Sequence, residues 1–191
     1  MFSLVSQRGL DPDHLHVAEL FIQCGLAREA NRHLAGYMQR QVDRQLNNVE
    51  PHDYSAIQVM AYCTCFLSAV ATISKILYPS DAGIAAQSRG ARLRARLGII
   101  ALPHIESRGV RNSYEHVDER LDRLSKQSAL DLVCLVDISR ERNKDTLVLK
   151  KLDPVAGTIE FLEDVISIAG CMEEIEGLDR TVCRQLTGSR A

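Results

Sequence analysis

Apolar residues recur at helical spacing through the first two thirds of the chain and give way to short β-branched runs in the last third. A first long helix is expected after "DPD", where Asp11 or Asp13 can cap it and Pro12 suits a first turn. Leu15, Ala18, Phe21, Ile22 and Leu26 keep the spacing of one face, continued by Leu34, Tyr37, Met38, Val42 and Leu46. Gly25 and Gly36 weaken the case for one unbroken rod. "NNVEPHD" at 47–53 ends it, and a second helix runs from Tyr54 to Tyr78. "YPSDAG" reads as a loop. A third helix spans Ile84 to Leu97, stopped by Gly98, and a fourth runs from Pro103 to Lys126. The runs at 130–139, 145–152 and 158–167 are rich in Val, Ile and Leu and short enough for strands, with "SRERNKD" and "DPVAG" as turns. "IAGCMEEIEGLDRTVCRQL" closes the chain as an amphipathic helix. The expected fold is mainly α: a four-helix bundle over 1–128, with an antiparallel β-meander and closing helix over 129–191 packed on it as part of one domain.

The second helix changes the picture first. "AIQVMAYCTCFLSAVATIS" (56–74) holds 19 residues without a formal charge, nearly enough to span a bilayer. Gln58, Thr64, Ser68, Thr72 and Ser74 interrupt it, and Thr64, Ser68 and Thr72 step four residues at a time down one face. A helix apolar nearly all round is also the central member of a bundle, and that is the reading preferred here over a membrane span. "MFSLVSQRGLDPD" has no long apolar run of a secretory signal, so a cytoplasmic setting is expected.

At 191 residues, 46% hydrophobic and 25% charged, the chain can bury a core of its own, built on aliphatic side chains since Trp is absent. The net charge of -2 excludes a globally basic nucleic-acid binder, but its distribution is uneven. Between Ile84 and Asn112, six arginines face Glu106 alone. The six cysteines form no CxxC pair, and the two of "CTC" point to different sides of a helix, so reduced core thiols are expected. His14, His16 and Glu19 do not make a metal-binding pattern, and "SRGARLRARLG" lacks the ending of a phosphate-cradling glycine loop. Neither a metal nor a cofactor is expected.

The chemistry concentrates in "GVRNSYEHVDERLDRL" (109–124). If Val110, Tyr114, Val117, Leu121 and Leu124 form the buried stripe, Arg111, Asn112, Glu115 and His116 occupy the opposite face, with Arg111–Glu115 and Asn112–His116 as i,i+4 neighbours. That arrangement also describes an ordinary solvated helix face with a surface ion pair. Imidazole as a class titrates near neutrality and suits acid–base work, while a guanidinium offers paired donors to a phosphate gathering charge.

"RNSYEH" resembles the R-x(4–6)-H motif of the HEPN family of helical-bundle domains, in which the arginine and histidine come from a late helix and a polar residue follows the arginine, here Asn112. The resemblance covers residues 10 to 127. It implies a metal-independent endoribonuclease, often a toxin or defence effector, whose two subunits bring their motifs to one cleft. Arg111 and His116 would be catalytic, with Asn112 orienting His116 or holding a phosphate oxygen. Glu115 and Asp118 would support them, and Arg92, Arg96 and Arg108 would hold the RNA backbone. The implied partners are a second copy of the chain, RNA, and an antitoxin or other protein, with no membrane. Some relatives carry, two residues after the histidine, a tyrosine that a nucleotidyltransferase partner modifies; Asp118 stands there in this chain. Other family members have lost catalysis, which leaves a catalytically silent helical dimer that binds a protein or nucleotide as the alternative.

Overall fold

The structure, a computed structural model, describes residues 11–47, 56–79, 83–107, 109, 116–125, 132–134, 146–148, 150–161 and 164–188. The helices are α1 (Pro12–Asn47), α2 (Ala56–Leu77), α3 (Gly83–Leu97), a single turn α4 (Pro103–Glu106), α5 (Val117–Ser125) and α6 (Ile168–Thr187). Among the described residues, five short strands lie between α5 and α6: β1 (Leu132–Cys134), β2 (Thr146–Val148), β3 (Lys150–Asp153), β4 (Thr158–Phe161) and β5 (Asp164–Ser167). The expected fold class holds: a mainly helical protein with a C-terminal three-stranded antiparallel sheet and a closing helix.

α1 runs 36 residues without a break through Gly25 and Gly36. Asp11 caps it, its carboxylate accepting the Asp13 N–H at 3.0 Å. The expected face holds at Leu34 and Tyr37, with Phe21 and Met38 packed against the core, but not at Leu15, Ile22 and Leu26. Val17, Leu20, Cys24, Ala27, Ala30, Leu34 and Tyr37 are buried, whereas Leu15, Ile22 and Leu26 are exposed. The small residues Cys24, Ala27 and Ala30 alternate with Leu20 and Leu34 on the buried face and let neighbouring helices approach closely, while Leu15, Ile22 and Leu26 lie off that face.

α2 packs along α1 as the central helix, with Val59, Cys63, Phe66, Leu67, Ile73 and Leu77 inside. It is long and apolar enough to cross a membrane, but half of its most apolar stretch is buried within the fold. α6 flanks α1 on another side and contributes Cys171, Ile175, Leu178 and Val182 to the same continuous core. The closing helix is thus a full member of the bundle. Ser167 caps it, accepting the Gly170 N–H at 3.1 Å, and Gly188 ends it in the left-handed conformation.

The fourth expected helix is not continuous. α4 stops at Glu106 because Ser107 turns extended (φ -53°, ψ 121°), and α5 starts at Val117. α4 has no capping side chain of its own; instead Glu174 of α6 accepts the N–H groups of His104 and Ile105, each at 2.9 Å.

The strands also differ in detail. β1 and β2 pair in parallel, with Val133 opposite Leu147, so they stand outside the meander. The meander is β3-β4-β5, in which Leu152 faces Ile159 and Ile159 faces Ile166, all three buried. Asp153 shapes the "DPVAG" turn by accepting the N–H groups of Val155 and Ala156, and Gly157 takes φ +62°. The sheet touches the bundle where Lys150 Nζ donates to Thr64 Oγ1 at 3.2 Å.

Candidate functional site

His116 occupies the turn that leads into α5. Its side chain is 55% exposed, with Nδ1 3.5 Å from Oε1 of Glu119 one turn on. An exposed imidazole beside a carboxylate is an arrangement that can take up and return a proton. Asp118 is exposed on the same turn. Arg111, Asn112 and Glu115, together with Arg108, lie outside the described residues. The buried stripe expected of this helix is corrected at two positions: Val117 and Leu121 are 36% and 39% exposed. Val110 and Tyr114 and the side chain of Leu124, the other members of that stripe, lie outside what the structure describes.

Arg92 and Arg96 are found on α3 facing the start of α1. Arg92 donates to Asp13 through Nε at 3.3 Å and Nη2 at 2.9 Å, and Arg96 pairs with Asp11. Both guanidiniums therefore already hold a carboxylate and tie α3 to α1. The contact with Arg96 and the Asp13 N–H together keep the Asp11 carboxyl below its ordinary range, the backbone bond being the larger influence. One turn after Asp13 on α1 stands His16, whose protonation is opposed by burial first and then by Arg89. The neighbouring Arg94 turns away, donating to the Leu77 carbonyl at the end of α2 and stacking 4.8 Å over the Tyr78 ring.

Sequence reasoning missed three further features because each joins residues far apart in the chain or depends on which face is buried. Arg28 of α1 donates to Asp179 of α6 at 2.7 Å. His33 stacks on Tyr62 with ring centres 4.2 Å apart. An open groove of about 610 Å³ between α1 and α2 is lined by Leu26, Ile57, Ala61, Thr64, Cys65 and Ser68, so part of the predicted polar stripe of α2 lines it. The cysteines divide: Cys24, Cys63 and Cys171 are core residues whose thiols are pushed up to about 12, chiefly by burial, while Cys65 is partly exposed on the groove. Among the described residues, no three His, Cys, Asp or Glu side chains gather as a metal site.

Compared with known proteins, the chain matches no protein-family model, no characterised protein and no solved structure.

Proposed function

We propose that the chain is a HEPN-like, metal-independent endoribonuclease of the cytoplasm, working as a homodimer in which Arg111 and His116 act on one phosphodiester. The observation that carries the proposal is the "RNSYEH" run, with the exposed imidazole of His116 at the start of a helix that follows a helical bundle. In this reading the 2′-hydroxyl attacks the adjacent phosphorus, the bond to the 5′-oxygen breaks, and a 2′,3′-cyclic phosphate and a 5′-hydroxyl are left. His116 takes or returns the proton, Arg111 bears the phosphate charge, Asn112 orients His116 or holds a phosphate oxygen, and Glu115 and Asp118 support them. The exposure of Val117 and Leu121 beside His116 supports completion of the site by a second copy, which would cover that face. Arg108 remains a candidate for the RNA backbone. Arg92 and Arg96 would have to share their donors with Asp13 and Asp11 to join it.

A second reading is favoured by a different observation. The groove beside Leu26 and Ile57, both exposed, suits a catalytically silent dimer that captures a protein partner such as an antitoxin. Incubating the purified protein with single-stranded RNA in excess chelator, beside Arg111→Ala and His116→Ala, separates the two. The nuclease reading expects cleavage by the parent chain alone; equal activity in all three discards the assigned residues.

A further inference from the structure

Residues 104–109 lead from α4 toward the run that carries Arg111 and His116, with Gly109 two positions before Arg111 and seven before His116. Contacts at both ends tie this stretch to the C-terminal part of the chain. At its start, Glu174 of α6 accepts the N–H groups of His104 and Ile105, one on each carboxylate oxygen, both at 2.9 Å. The His104 ring lies over Gly170 on the first turn of α6, where a methyl group would meet ring atoms Cε1 and Nε2 at 2.5 Å. At its end, Gly109 meets β5: a methyl group there would run into a carboxylate oxygen of Asp164 and lie 3.1 Å from its Cγ.

Each contact has a physical reason. The first turn of a helix leaves N–H groups without partners, and α4 has no capping side chain of its own, so these two amides depend on Glu174. Bonds from N–H to a charged carboxylate are about twice as strong as those to a neutral acceptor. Gly170 and Gly109 lack the Cβ that would hold His104 and Asp164 away, which lets the two parts of the chain close on each other. Between the two ends, Ile105 is fully buried in the core of the bundle. The stretch is therefore held at its start, within and at its end, and two of the three holds come from elements that follow the motif in the sequence.

We propose that Glu174 and Asp164 are positioning residues for the ribonuclease chemistry: by holding residues 104–109 they set where the Arg111–His116 run begins, which gives the β3-β4-β5 sheet and α6 a part in turnover. The inference rests on the ribonuclease reading. Neither carboxylate touches RNA in it. A misplacement of about 1 Å at a reacting group can cost about a hundredfold in rate, so loss of this clamp acts on kcat and leaves substrate binding largely as it was.

The test measures kcat and KM on a defined single-stranded RNA in excess chelator for the full chain and for Glu174→Gln, Asp164→Ala and Gly109→Ala. Gly109→Ala displaces the carboxylate that Asp164→Ala removes, so both should lose about tenfold or more in kcat with KM within about twofold, and their double variant should fall no further than either single. Arg28→Ala, which loosens α6 from α1 without touching residues 104–109, should keep the parent kcat well below its melting temperature. If Glu174→Gln does not fold, the Asp164 and Gly109 variants carry the test. Hydrogen exchange of the amides in 104–116, followed by mass spectrometry, is read beside it: exchange should be about tenfold faster in Glu174→Gln and Asp164→Ala and parent-like in Arg28→Ala. An active parent whose Glu174 and Asp164 variants keep its kcat, or an equal loss of kcat in Arg28→Ala, would overturn the positioning role. A parent chain that leaves RNA intact sinks the ribonuclease reading instead; parent-like exchange in both carboxylate variants would then remove the clamp as well.

Discussion

Arg28 and Asp179 meet at 2.7 Å although 151 positions separate them in the sequence. Asp179 is nearly buried and its other oxygen lies 3.8 Å from Cys183 Sγ, while the Arg28 side chain stays 57% exposed. The pair joins the closing helix to the first helix at the point where a carboxylate has lost its water. Replacing Asp179 by Ala should therefore cost about 1–3 kcal/mol, and Arg28→Ala should cost a similar amount because it strands the carboxylate. Chemical denaturation of the two single variants and the double variant checks this. The double variant should be less destabilised than the sum of the singles, and strict additivity would show that the two residues are not coupled.

His16 gives stability a pH dependence. Burial, then Arg89, lowers its titration below the ordinary 6.5, so the unfolded chain binds the proton more readily than the folded one. The contribution is present above the ordinary value and is lost as pH falls through the lowered one. The denaturation midpoint should fall between about pH 7 and about pH 5, and His16→Gln should shrink that fall. An identical pH profile in the variant would contradict this account of the α1–α3 junction.

α3 approaches the end of α2 over Gly90. A methyl group there would lie 2.6 Å from Pro79 Cδ and 2.8 Å from the Leu77 carbonyl oxygen, and the latter is backbone that cannot swing aside. Gly90→Ala gains up to about 1 kcal/mol in helix propensity and loses more to the clash. The expected net loss is about 1–2 kcal/mol, read as a lower unfolding midpoint. A stabilised variant would mean the two helices are not this close.

Thiol chemistry reports on the packing. Cys24, Cys63 and Cys171 are fully buried with thiols pushed up to about 12, whereas Cys65 opens onto the α1–α2 groove. Brief alkylation of the native protein, mapped by mass spectrometry, should label Cys65 and spare those three. Rapid labelling of Cys63, two residues from Cys65, would contradict the assigned face of α2.

The helices were legible where period and stop signals agree. α2, α3 and α6 begin and end close to where Gly98, "YPSDAG" and the last amphipathic run indicate. The face of α1 was legible at Leu34 and Tyr37 but not in the first half of the helix, where bulk suggested Leu15, Ile22 and Leu26 and close helix contact favours Cys24, Ala27 and Ala30. The strand runs were legible as extended, but their pairing was not. Alternation within "DTLVLKKL" cannot show that Thr146–Val148 joins a parallel pair while Lys150–Asp153 joins the meander. At the candidate site the motif supplies residue types, and the fold adds what spacing cannot: Arg92 and Arg96 are held by aspartates some eighty positions earlier, with separations of 79 and 85.

The central claim is that Arg111 and His116 cleave RNA without a metal. The most direct measurement is the rate of cleavage of a defined single-stranded RNA in excess chelator, with the product ends identified. The account predicts 2′,3′-cyclic phosphate ends and a loss of about a hundredfold or more in His116→Ala and Arg111→Ala, with both variants folded. Parent-level cleavage in either variant, or a folded parent chain that leaves RNA intact, would contradict it.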